Sequence, residues 1–276
     1  MSLVESARVV ADELGFEYRE PVLVNFSLQA APGSITILAG SNGAGKSTAL
    51  SLLAGEFTPR SGFVRVCGGD PRRPNTRQEL FFLSEIARDL HWLSAVEAVQ
   101  LHRDLYGLAK GDGVSAVQAL ERFGLTSVKD RRLKGFSKGM QRRVEIAAAL
   151  ACDRPVWLFD EPESGLDPEG RVVLQQVLLE ARARGRTLIV STHLGGAALH
   201  GADQLVVLRG GRTVFRGGLS EAIQATSCLE LNLSECSAEL HAQLIQTANA
   251  AGARCDIATL SAAGLRRLMQ GTTENP

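Results

Sequence analysis

A glycine-rich stretch, Gly40-Ser41-Asn42-Gly43-Ala44-Gly45-Lys46-Ser47-Thr48, directly follows an apolar run, Ile35 to Leu38, and leads into a helical pattern, Ser47 to Leu53. Strand, glycine-rich turn and helix, in that order, is the context a phosphate-binding loop needs. Glycines let backbone N–H groups come close to an anion, and the N-terminus of the following helix adds positive potential. In such a loop Lys46 reaches the β- and γ-phosphates, and the Ser47 hydroxyl is placed to ligate Mg²⁺. The alternative is a plain turn between strand and helix, and the residues on both flanks weigh against it.

A second segment completes this chemistry. Val156-Trp157-Leu158-Phe159-Asp160-Glu161-Pro162 is an apolar strand ending in two carboxylates. A nucleotide enzyme needs one acid to hold Mg²⁺ and another to orient and polarise the attacking water. Asp160 suits the first role and Glu161 the second. Alone, a strand capped by acidic turn residues is commonplace; beside the glycine-lysine loop it reads as the other half of one site.

Further apolar runs bounded by Gly and Pro are strand candidates: Val22 to Leu28, Gly62 to Cys67, Glu79 to Leu83, Thr187 to Ser191 and Leu205 to Leu208. Helical patterns such as Val172 to Arg184 and Ala197 to His200 alternate with them, which predicts an α/β sheet with helices on its faces. From about residue 86 to 150 the pattern is helical, with Ala95, Val96, Val99, Leu101 and Leu105 forming one expected apolar face and Val114, Val117, Leu120 and Phe123 another. A helical insert follows. After Gly217-Gly218 a smaller βαβα pattern is predicted over residues 220–276, with strands Cys228 to Leu233 and Arg254 to Ala258. It carries no motif tied to chemistry, and reads either as a packing extension or as a dimerisation or regulatory element.

Thirty basic and thirty acidic residues cancel. A chain living on nucleic acid normally carries a basic excess, so that partner is not expected. The five cysteines are odd in number, form no C-x-x-C pair and read as reduced thiols. Ligation of a metal by Cys228, Cys236 and His241 fits no zinc spacing. No signal peptide is read at the N-terminus, and no stretch approaches the roughly 18 apolar residues of a membrane span. If the protein serves a membrane, it does so from outside the bilayer.

The segments together resemble the nucleotide-binding subunits of ATP-binding cassette (ABC) transporters over about residues 8 to 218. Phe136-Ser137-Lys138-Gly139-Met140-Gln141-Arg142-Arg143 is similar to the family's signature motif, Ser164-Gly165-Leu166-Asp167-Pro168 to its dimer-contacting loop, and Ser191-Thr192-His193 to its switch histidine. Tyr18 resembles the aromatic that stacks on adenine, although Phe16 is close by. The resemblance implies a P-loop NTPase, RecA-like cassette spanning residues 1–219, with an antiparallel β-subdomain and a helical subdomain over about 86–150. Its ligands would be ATP and Mg²⁺. It further implies a contact between His193 and the γ-phosphate. ATP would be sandwiched between the 40–48 loop of one subunit and the Ser137-capped helix of a like or similar second subunit, with Ser137, Gly139 and Asp167 on that second side. The implied partner is a separate transmembrane permease, and the implied location the inner face of the cell membrane.

Three positions depart from the family pattern. Glu85 stands where a glutamine is usual, and would still reach water or Mg²⁺; Lys138 and Met140 replace a signature glycine and glutamine. Glu85 and the Ser-Lys-Gly-Met form resemble efflux-type cassettes more than those of importers. Two other classes are open to the sequence. A soluble cassette ATPase acting on nucleic acid or ribosomes would be expected to show a second cassette, a coiled-coil insert or zinc modules. A non-hydrolytic ATP-gated module would not need Lys46, Ser47, Asp160, Glu161 and His193 together.

Overall fold

The computed structural model describes residues 7–85, 90–109, 111–192, 201–218 and 221. Its centre is a six-stranded sheet in the order β5 (Leu80–Leu83), β6 (Val156–Asp160), β7 (Thr187–Thr192), β3 (Ile35–Gly40), β8 (Gln204–Arg209), β9 (Arg212–Gly217). Strands β3 (Ile35–Gly40), β6 (Val156–Asp160) and β7 (Thr187–Thr192) are buried at every position. That is why they read as continuous apolar runs: a parallel sheet covered on both faces has no polar side. Successive residues still alternate between two cores. Ile35, Ile37, Trp157, Phe159, Leu188 and Val190 face one, while Leu38, Val156, Leu158 and Ile189 face the other.

β5 (Leu80–Leu83) pairs parallel with β6, β6 with β7, β7 with β3, and β3 with β8 (Gln204–Arg209). Their C-terminal ends therefore meet at a single sheet edge, where α/β sheets bind ligands. The glycine-lysine loop leaves β3 there, Asp160 closes β6, and Ser84-Glu85 follow β5. α1 (Lys46–Leu53) packs its apolar residues into the second core. A one-turn helix, α2 (Pro74–Arg77), leads into β5.

A three-stranded antiparallel sheet, β2-β1-β4, covers the same side, from β1 (Val9–Glu17), β2 (Pro21–Ala30) and β4 (Ser61–Val66). Two strands have no counterpart among the runs picked out by sequence. In β1 the pair Asp12-Glu13 breaks the apolar alternation at an irregularity where Glu13 takes a φ of 47° and its N–H donates to Ser27 Oγ at 2.9 Å. β9 (Arg212–Gly217) is an antiparallel edge strand with no buried position, so it offers no apolar run.

Among the described residues of the expected insert are three α-helices, α3 (Ala95–Leu105), α4 (Ala116–Arg122) and α5 (Lys138–Cys152). Ser94 and Ser115 close capping boxes with Glu97 and Gln118, and these reciprocal bonds start α3 and α4 where they begin. The expected apolar faces need correction. Leu105 is 60% exposed, Leu101 and Val117 are also exposed, and Val114 precedes the Ser115 cap. The inward stripe of α3 is Ala95, Ala98, Val99 and Arg103. Arg103 is 3% exposed and donates to the carbonyls of Val114, Ala151, Ala109 and Asp112 at 2.6–3.0 Å, pinning the loop between α3 and α4 onto the end of α5. Its planar fork of donors satisfies groups that no apolar residue could. Arg103→Met, similar in bulk but without donors, should cost about 3 kcal/mol and lower the melting temperature by about 6–12 °C, read by thermal denaturation.

α6 (Pro168–Ala183) completes the helical layer. Cys67 and Cys152 are free thiols, and burial pushes the Cys152 thiol up to about 12. The predicted helix at 197–200, Cys228, Cys236, His241 and Cys255, and the expected extension apart from Glu221 lie outside the described residues.

Candidate active site

The loop after β3 has its shape dictated by what surrounds it. A side chain at Gly40 would place a Cβ 2.6 Å from the Leu208 carbonyl oxygen of β8, so only glycine lets the loop leave the sheet there. Gly45 sits at a φ of 103°, and its Cβ would meet Leu23 Cδ2 at 2.8 Å. Lys46 is 5% exposed. Its Nζ donates back to Gly40 O at 2.9 Å and Ser41 O at 3.2 Å, holding the loop closed around the ammonium. Ala44 N–H closes on Ser41 O at 3.1 Å, Ser41, Asn42, Gly43 and Ser47 are exposed, and Thr48 is buried.

The acidic pair meets this loop. Lys46 Nζ lies 3.6 Å from Glu161 Oε1. Asp160 is buried and accepts a hydrogen bond from Ser191 Oγ, while the same hydroxyl oxygen accepts the Glu161 N–H at 2.9 Å. Ser191 thus fixes both ends of the Asp160-Glu161 turn, in which Glu161 adopts a φ of 46°. Ser191 appears in the sequence only as part of the segment before His193. Its role follows from the register, which places it opposite Asp160 on the neighbouring parallel strand.

Ser137 starts α5 as its N-cap, accepting Met140 N–H at 3.2 Å, and Val144, Ala147, Ala148 and Ala151 form the buried side expected of this helix. Three consecutive residues then fan out from its first turns. Gln141 donates to Leu133 O and Phe136 O, Arg142 to Ser84 O and Glu85 O, and Arg143 to Phe123 O and the Asp167 carboxylate. Gly139 packs so closely on the Gly165 carbonyl that a Cβ there would lie 2.3 Å from it. Asp167 is the N-cap of α6, accepting Gly170 N–H at 2.9 Å; the Arg143 hydrogen bond, reinforced by Gly170 N–H, holds its carboxyl below the usual range.

Tyr18 is 61% exposed, with its ring edge-on to Phe16 at 5.0 Å and to Phe57 at 5.8 Å. Phe16 instead stacks on Phe57 and packs against the core, which leaves Tyr18 as the aromatic open to a ligand. Glu85 is exposed at the edge that carries Asp160. His193 lies outside the described residues.

These features suit a magnesium-bound nucleoside triphosphate. The first turn of α1 has neither a side-chain cap nor an acidic residue, so its N–H groups and positive potential are offered to an anion. Asp160 and the exposed Ser47 are the hard oxygen donors Mg²⁺ prefers.

Residues 23–164, which carry the loop, the capped helix and the acidic pair, match the family described as ABC transporter. The chain belongs to this family. Over 211 residues it is 30% identical to the ABC transporter ATP-binding protein NatA of Bacillus subtilis, covering 75% of this chain and 85% of that one. It is 32% identical over 213 residues to the Nod factor export ATP-binding protein I of Cupriavidus metallidurans, covering 75% and 70%. Among solved structures, one described as the ATP binding subunit of an ABC transporter superposes with a TM-score of 0.72 at 26% identity, over 87% of this chain and 98% of that one. The protein is thus an ABC ATP-binding subunit of P-loop fold, and its reaction is hydrolysis of ATP to ADP and phosphate.

Proposed function

We propose that this cassette is the cytoplasmic motor of an exporter whose membrane-spanning part is a separate polypeptide, and that it works as a pair of cassettes closing on two ATP molecules. The observation that carries the proposal is the assembly of Lys46, Asp160 and Glu161 around one loop at one sheet edge. Lys46 and the N–H groups of residues 40–48 would hold the phosphates, Tyr18 would stack on the base, and Ser47, Asp160 and Glu85 would hold Mg²⁺ directly or through water. Bound Mg²⁺ supplies charge neutralisation at the phosphate oxygens. Glu161 would accept the proton of the attacking water, with His193 directed at the terminal phosphate. Ser137, Gly139 and Asp167 of the second cassette would close the site.

A groove lined by Phe81, Leu83, Ala98, Leu133 and Val144, with Glu145 at its side, lies between β5, α3 and α5 and includes Ser84. We assign this surface to docking of the permease. No helix among the described residues is long and apolar enough to cross a membrane; in this proposal the spanning part belongs to a partner and the cassette lies on the inner face of the membrane. The direction, export, is supported by the Ser-Lys-Gly-Met form of the signature, by Glu85 and by the Nod factor export relative. The pairing is tested on the Glu161→Gln variant by light scattering: Mg-ATP should double the mass of the eluted species, and adding Ser137→Glu should return it to one chain. A Glu161→Gln chain that stays monomeric with Mg-ATP would contradict the paired arrangement.

A further inference from the structure

Arg142 is 4% exposed, yet it is not spent on the core. Its Nη1 donates to Ser84 O at 2.8 Å and its Nη2 to Glu85 O at 3.0 Å, while Glu145 Oε2, one turn along the same helix, accepts from Nη1 at 3.0 Å. Burying a guanidinium is costly unless its donors are matched, and here carbonyls of the segment leaving β5 match them. The same helix begins at Ser137, five residues earlier. One side chain therefore ties the segment carrying Glu85 to the helix carrying the signature serine.

We infer that Arg142 is a positioning residue that holds the Glu85 segment against the signature helix, so that the Mg²⁺-side carboxylate and the helix that closes on the partner's nucleotide move as one body. The inference rests on the roles proposed above for Glu85 and Ser137. A planar fork is needed: two successive carbonyls are spanned at once by the guanidinium, whereas an ammonium is a point donor. Arg142→Lys keeps the buried charge beside Glu145 and loses the span, so it removes the coupling in a folded background.

The test is a double-mutant cycle in the full-length chain, using steady-state hydrolysis at saturating Mg-ATP and the Kd for ATP. Glu85→Ala and Arg142→Lys should each lower kcat about tenfold, and the double variant should fall by the same factor of about ten, because both remove one function. The Kd for ATP in Arg142→Lys should stay within about twofold of the parent, since the 40–48 loop is untouched. A merely structural arginine would instead lower the melting temperature and affinity together, with additive losses. A loss of about a hundredfold in the double variant, or parental kcat in either single variant, would overturn the inference. Glu161→Gln in the same assay separates the two levels. If it hydrolyses ATP like the parent, Glu161 loses the role of base proposed above, while the Arg142 inference still stands or falls on the cycle; if it is inactive while Arg142→Lys is parental, the positioning role alone is lost.

Discussion

Glu161→Gln should lower ATP hydrolysis by about a hundredfold or more while Mg-ATP still binds. A positioned general base contributes about 10²- to 10⁴-fold to a rate, and glutamine keeps the size of the side chain while losing the proton-accepting oxygen pair. The geometry leaves Glu161 little freedom: its backbone is held by Ser191 Oγ, and its carboxylate lies 3.6 Å from Lys46 Nζ. The amide would remain beside the ammonium, so the loop should keep its shape and affinity. Phosphate release measured beside calorimetric binding reads both quantities. Parental turnover with normal binding would remove Glu161 from the role of base.

Lys46→Ala should fail at the earlier step. The ammonium donates to Gly40 O and Ser41 O and sits beside Glu161, so it shapes the loop; on the proposed reading it would also be the main positive charge meeting the phosphates. A hydrogen bond to a charged partner contributes about 1.5–3 kcal/mol, which corresponds to roughly a ten- to hundredfold loss in ATP affinity. Hydrolysis should fall further if, as proposed, the same ammonium stabilises charge on the transferring phosphoryl group. Lys46→Met, which keeps the buried stem, should show the same loss of binding with a melting temperature close to the parent's. Retained affinity in both variants would place the nucleotide elsewhere.

What was legible in the sequence was local. The 40–48 loop, the acidic end of β6 and the Ser137 cap each declare themselves within a few residues, because turn chemistry, strand burial and helix capping act over that range. Residues whose role depends on distant segments meeting were not legible. Ser191 matters because β6 and β7 run parallel in a register that sets it against Asp160; Phe57 matters because it arrives beside Tyr18 from another turn of chain. Arg103 and Arg142 carry no local signal of burial, and their burial is explained only by the carbonyls that converge on them. On α3 the apolar pattern pointed to Leu101 and Leu105, yet packing left both exposed and chose the stripe that carries Arg103 inward. Charged side chains at Asp12-Glu13 and the exposed character of β9 hid two strands for the same reason: pairing partners, not composition, made them strands.

In the proposed pair, one magnesium-bound ATP is gripped by the loop around Lys46 of one chain and by the Ser137-capped helix of another. The test is structure determination of Glu161→Gln with Mg-ATP. The expected result is two chains related by a two-fold axis, each nucleotide lying between Gly40–Thr48 of one copy and Ser137 to Gly139 of its mate. Nucleotide bound away from the loop, or a single chain closing the site by itself, would contradict it.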